Sequence, residues 1–356
     1  MKPTAQIGAV PVMRGPRIQS SPDRVGRRND RFSIQAGPGE RAFSLIEIMV
    51  TVGLLSFIIL GLLAMFNQTQ RAFKSSITQT DVLEAGRATM DMLGRELEQM
   101  SPSEAPDYLF GNVRTRATNF FVEFTPGFWP FSAGLTPLSQ ELPGSGISRT
   151  NVVQRFFFLS KLNQDLMGIG YEVIPDDASG FVGSLYRFAG TNFRSGPVNL
   201  SAEFLKAASV SLQNAARGLP VTNVNGMAVN RISDGVVHLR ARAFARNGFM
   251  LTWTNSILYS NVFALTTRGP FTNVQNTAVY GVASADPIQG ECYFMSNALP
   301  AYVEVELGIL EPQVLRRYRS IESPAAQLAY LTNHAAQVHL FRQRIPVRNL
   351  DSTAYP

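Results

Sequence analysis

Cysteine is all but absent from this 356-residue sequence, which carries Cys292 alone. One thiol closes no internal disulfide, so no disulfide framework organises the chain, and Cys292 reads as a small buried apolar residue. Histidine is scarce too: His238, His334 and His339. There is no H-E-x-x-H, no Cys/His pair at metal-ligand spacing, no G-x-S-x-G elbow and no P-loop. Gly168-Ile-Gly170 lacks the third glycine of a dinucleotide fingerprint and lies in a strand-like run. His238 alternates with Arg240 on a strand face and reads as a solvated or hydrogen-bonded side chain; His334 and His339, five apart, carry no ligand pattern. Asp176-Asp177 follows Pro175 and reads as a turn, with a calcium-binding loop as the open alternative. These absences leave no catalytic residue, no metal and no cofactor to assign, and the chain reads as non-enzymatic.

Excess charge is also missing from most of the chain, although the formal total is +6. Residues 1–42 hold Lys2, Arg14, Arg17, Arg24, Arg27, Arg28, Arg31 and Arg41 against Asp23, Asp30 and Glu40, eight bases to three acids and a surplus of five. Residues 43–356 keep a surplus of one. A nucleic-acid-binding body needs a basic stripe of its own, and this balance gives none. Positive charge ahead of an apolar segment has a different meaning: it stays on the cytoplasmic side of a membrane. Residues 1–42, rich in Pro, Gly and Arg without an apolar period, read as a flexible leader.

What the chain does have is a long apolar run. Ala42 to Phe66 reads AFSLIEIMVTVGLLSFIILGLLAMF, 25 residues with one charge, Glu47, and no proline. At about 1.5 Å per residue it spans a hydrocarbon core of roughly 30 Å. The helical period continues: Val82, Gly86, Met90, Leu93, Leu97 and Met100 form a narrow apolar stripe, while Glu84, Arg87, Asp91, Arg95 and Glu98 lie on another face. One helix is therefore expected from about Ser44 to Met100, apolar all round over 43–66 and amphipathic over 67–101, ended by Ser101-Pro102.

Beyond Pro102 short β-rich runs follow one another: 119–124, 153–159, 170–174, 183–188, 236–245, 261–266, 301–309 and 338–347. In two of them apolar residues alternate with polar ones, Val237/Leu239/Ala241/Ala243 with His238/Arg240/Arg242, and Val303/Val305/Leu307/Ile309 with Tyr302/Glu304/Glu306. Both read as half-buried antiparallel strands. Residues 325–333 read as a short helix with Ser323 as cap and Pro324 in the first turn, and 205–216 as another. The stretches 125–148 and 271–290 read as long loops. The expected fold class is α+β, a long N-terminal helix packed through its second half on an antiparallel β domain over 102–356.

The segment Arg41-Ala42-Phe43-Ser44-Leu45-Ile46-Glu47-Ile48-Met49-Val50 resembles the processing site of type IV prepilins and type II secretion pseudopilins. In that family a basic leader ends in a small residue, usually Gly and here Ala42. The new terminus is a Phe, and a Glu stands at the fifth mature position. The resemblance implies cleavage between Ala42 and Phe43 by a prepilin peptidase, N-methylation of Phe43, and pairing of its amine with Glu47 of a neighbouring subunit during assembly. The leader is longer than is usual in the family, and Met13 offers an internal start. Looser similarity over Arg87–Gln99, Arg231-Ile-Ser-Asp-Gly-Val-Val, Asn297–Val305 and Ile345-Pro-Val-Arg-Asn349 is to PilW-like or J-type minor pilins, and to prepilin-like proteins of verrucomicrobial gene cassettes. The 314 residues left after the cut agree with a minor subunit. The implied partners are the peptidase, other pilin or pseudopilin subunits, the inner-membrane assembly platform and membrane lipid. The implied location is a single pass through the bacterial inner membrane, with the β domain outside the cytoplasm or in a filament.

The residues themselves support a special role for Glu47. An ionised carboxylate within an apolar membrane helix costs roughly 2.5–3.5 kcal/mol on insertion scales and normally has a partner. No Lys, Arg or His lies between Ala42 and Phe66. A secretory signal is a poor reading because the apolar core is too long and no small-residue cut site follows it. Arg27-Arg28 lies too far ahead of the run for a twin-arginine signal. An uncleaved single-pass anchor flanked by Arg41 and Arg71, tethering an envelope-binding β domain, stays open as the alternative.

Overall fold

The computed structural model describes residues 43–103, most of 108–251 and 277–351, and Ala354, with short gaps; the expected strand at 261–266 falls outside the described residues. Helix α1 runs Leu45–Glu98, close to the span read from its period. Two units divide the chain, residues 1–65 and 66–356, and α1 contributes to both. In the first unit every described residue is exposed, apolar side chains included. In the second, the expected stripe is the buried face: Val82, Gly86, Met90, Leu93, Leu97 and Met100, with Thr89 and Gly94 beside them. Complete burial of a Leu or Met stabilises by about 1.5–3 kcal/mol, and Leu93, Leu97 and Met100 are 0 % exposed.

Thirteen strands follow among the described residues. β1 (Tyr108–Phe110) pairs with β2 (Val113–Thr115), and β4 (Ser139–Glu141) with β5 (Ser148–Thr150). The remaining nine are β3 (Thr118–Phe124), β6 (Gln154–Leu162), β7 (Asp165–Pro175), β8 (Gly183–Thr191), β9 (Ala228–Phe244), β10 (Thr277–Val282), β11 (Asp286–Met295), β12 (Tyr302–Leu310) and β13 (Val338–Pro346). They form one antiparallel sheet in the order β10-β11-β3-β6-β7-β8-β9-β12-β13. The chain is α+β. The sheet curls: where β8 ends its pairing with β9 at Val236, Val153, the residue ahead of β6, takes its place through a parallel bridge to Leu239.

Phenylalanines at successive positions in β3 and β6 divide the core. Phe120, Phe156 and Phe158 join the α1 stripe, while Phe121 and Phe157 face α2 (Leu200–Ala216), stacked 5.5 Å apart beside Phe204. A third cluster packs α3 (Pro312–Arg319) and α4 (Pro324–Asn333) on Phe181, Val182, Val237 and Leu310.

Several expectations need correction. The stretch 271–290, read as loop for its Gly, Asn and Pro, contains β10 and the start of β11, which lengthen the sheet at one edge. The stretch 125–148 contains β4 within otherwise undescribed residues, and β5 begins at its end. Helix α3 was not expected; Pro312 at its first turn is the signal that reveals it. Ser323 stands at the cap of α4, but its side chain makes no cap hydrogen bond. β9 and β12 are not half-buried: His238, Arg240, Glu304 and Glu306 are between 2 % and 9 % exposed. A bulge shifts the β9–β12 register between Gly308 and Ile309, so Val236 rather than Val237 shares the core with Leu239.

Candidate functional site

The proposed processing region lies at the start of α1. Ala42 falls outside the described residues, and Phe43 is 74 % exposed. Ser44 is the residue before the helix, and it does local work that the sequence reading passed over. Its carbonyl accepts from Glu47 N at 3.0 Å and Ile48 N at 3.2 Å, and its Oγ accepts from Glu47 N at 3.4 Å. Ser44-Leu45-Ile46-Glu47 has the S-x-x-E spacing of a capping box, a signal available in the sequence. Glu47 therefore stands in the first turn, at the positive end of the helix dipole, where a carboxylate is favoured.

The rest of the apolar stretch suits a lipid or helix-packed setting. Its richest 18-residue window has a mean hydropathy of 2.6 and is wholly unburied. Its hydroxyls turn inward on the helix: Thr51 Oγ1 donates to Ile48 O at 3.0 Å and Ser56 Oγ to Val52 O at 2.8 Å. No donor is left facing hydrocarbon at these two positions, as an apolar surrounding requires. The helix is long and apolar enough to cross a membrane, in keeping with a single-pass membrane protein.

The β domain resolves the other residues of interest. Asp176 Oδ1 accepts from Ser184 Oγ at 2.8 Å and Oδ2 from Arg319 at 2.5 Å. Asp177 accepts from the backbone and hydroxyl of Ser179 and, at 3.2 Å, from Gln327. The pair is a turn that ties the β7–β8 connection to α3 and α4, and all four of its carboxylate oxygens are occupied by protein donors. The histidines are dispersed. His238 Nδ1 accepts from Val152 N at 3.0 Å, which places its proton on Nε2, 3.4 Å from Glu306. His334 packs against Tyr330 with the rings tilted by 31°, and His339 Nε2 lies 3.1 Å from Glu311. Among the described residues no group of His, Cys, Asp and Glu is arranged to hold a metal ion. Gly168 and Gly170 serve packing, since a Cβ on Gly170 would meet the Phe204 ring at 2.3 Å. Cys292 is fully buried, and burial pushes its thiol well above the usual range.

Two polar rows are buried at their centres, which the alternation pattern does not reveal. On β9, β12 and β13, Glu304 accepts from Arg242 at 3.1 Å and from Arg342 at 2.9 Å, and Glu306 from Arg242 at 3.2 Å. Burial alone would raise Glu306, but the His238 hydrogen bond and the Arg242 guanidinium hold it down at about 2. Across β3, β6, β7, β8 and β9 runs a second row, Glu123, Arg155, Glu172, Tyr186 and Arg231. A lone acid in the run Gly170-Tyr-Glu-Val-Ile174 was its sequence signal.

Neither a family model nor a curated protein sequence matches this chain.

Proposed function

We propose that this chain is a prepilin-like structural subunit, cut between Ala42 and Phe43 by a prepilin peptidase and methylated on Phe43. Inserted in the inner membrane with its β domain outside the cytoplasm, it assembles as a minor subunit that starts or caps a type IV pilus or type II secretion pseudopilus. The observation that carries this reading is the placement of Glu47. It is the single charge in residues 42–66, and it stands in the first turn of α1, directly behind a basic leader. Cleavage ahead of Phe43 would put an ammonium at the positive end of the helix dipole, which disfavours it in apolar surroundings. A carboxylate from an adjacent helix answers that charge, and Glu47 is at the depth to supply it.

The Ser44 cap favours a second reading, an uncleaved membrane anchor. There Glu47 acts as a first-turn acid and needs no amine partner. Two comparisons separate the readings: the wild type in the sheared filament fraction, where the anchor reading expects none, and the substitution Glu47→Gln. It keeps the helix start, so membrane insertion should match the wild type. In native cells the prepilin reading expects the variant to vanish from the sheared filament fraction. Normal incorporation of the variant would refute the pairing role.

A further inference from the structure

Glu172 is the most confined carboxyl among the described residues. It is 0 % exposed on the central strand β7, and neither of its oxygens has a hydrogen-bond partner. The nearest cation, Arg155 on β6, reaches it with one nitrogen at 3.6 Å. That guanidinium is already committed: its Nε and a terminal nitrogen donate to Glu123 Oε2 on β3 at 3.0 and 2.7 Å. The other oxygen of Glu123 accepts from Tyr293 on β11 at 2.6 Å, and Glu291 on β11 adds a third carboxyl. Tyr186 on β8 is the cross-strand neighbour of Glu172, and Arg231 on β9 lies beyond it, turned toward Ser184 and Asp234. Three carboxyls thus lie around one guanidinium, and of the three only Glu172 is wholly closed off from water.

We propose that this row is a proton-dependent lock on the sheet: Glu172 holds a proton in the folded domain, and mild alkalinisation removes it and loosens the β6–β7 region. The physical reason is the arrangement just described. A buried carboxylate without donors is the first of the three to give up its charge. Burial, then the Glu123 charge, outweighs Arg155 and lifts Glu172 from 4.5 to about 7. Glu291 is also raised, chiefly by burial. Because the folded value lies above the unfolded one, the contribution of Glu172 to stability is complete below about 4.5. It declines as pH rises and is gone above about 7.

The test is thermal unfolding of the full chain in detergent, followed by circular dichroism from about pH 5 to about pH 8. The wild-type midpoint should fall by several degrees over this range, and the Glu172→Gln midpoint should fall less, by the part that Glu291 contributes, and exceed it at the alkaline end. Equal slopes for the two proteins would overturn the proposal. If the variant does not fold, infrared difference titration of the wild type labelled at glutamate decides. A protonated carboxyl band present near pH 6 and lost near pH 8 supports the lock, and its absence near pH 6 overturns it.

Discussion

Glu47, Glu172 and Glu306 show how differently one side-chain type behaves in three surroundings. Glu47 was legible because it is a lone charge in an apolar run; its place in the first turn behind Ser44 became visible only in the structure. Glu172 and Glu306 were not legible, because alternation tells which residues share a strand face and not whether that face meets water. Glu306 gives a prediction opposite in sign to that for Glu172. Its folded value of about 2 lies below the ordinary 4.5, so its contribution is present in full above 4.5 and is lost as pH falls toward 2. At full weight that difference is about 3–4 kcal/mol, and solvent screening of the partly exposed pairs lowers it to on the order of 2 kcal/mol. Urea unfolding should therefore show the wild type well ahead of Glu306→Gln near neutral pH and level with it near pH 2. A gap that stays constant through the acid range would show that Glu306 does not titrate with folding.

At the scale of elements, α1 was the most legible part of the chain because its stripe repeats at 3.6 residues over several turns. Gly86 and Gly94 in or beside that stripe mark its closest approach to β13. A Cβ on Gly86 would lie 2.1 Å from the ring of Phe341, and one on Gly94 3.5 Å from the Gln343 amide. Substitution at Gly86 therefore forces the Phe341 ring aside. Gly86→Ala is expected to destabilise the domain by about 1–3 kcal/mol despite the better helix propensity of alanine, whereas Gly94→Ala, with room for a methyl group, should be neutral or stabilising. Chemical denaturation of both variants checks this, and a neutral Gly86→Ala would mean that the helix and β13 are less tightly apposed. The long strands β3, β6, β7, β8, β9, β12 and β13 were readable as runs rich in β-branched and aromatic residues, of which the runs in β9 and β12 alternate at period two. β10 and the start of β11 were not, because turn-forming residues dominate a window in which pairing with β3 and with each other fixes the strands instead. The β9 bulge was equally hidden, since one extra residue in a ladder leaves no trace in composition.

At the scale of the whole molecule, the chain combines an apolar helical segment exposed on every side with an α+β domain whose core is complete around a curled sheet. The second part accounts for its own burial; the first needs an apolar surrounding that it does not supply. Membrane insertion would meet that need, and on the proposed reading packing against like helices meets it at a later stage. The prepilin reading joins the two stages by a single cut that frees the Phe43 amine while Glu47 remains in place. Intact mass and N-terminal sequencing of the protein from its native cells test this most directly. The account predicts a chain that begins at a methylated Phe43, and recovery of the chain with its arginine-rich first 42 residues attached would contradict it.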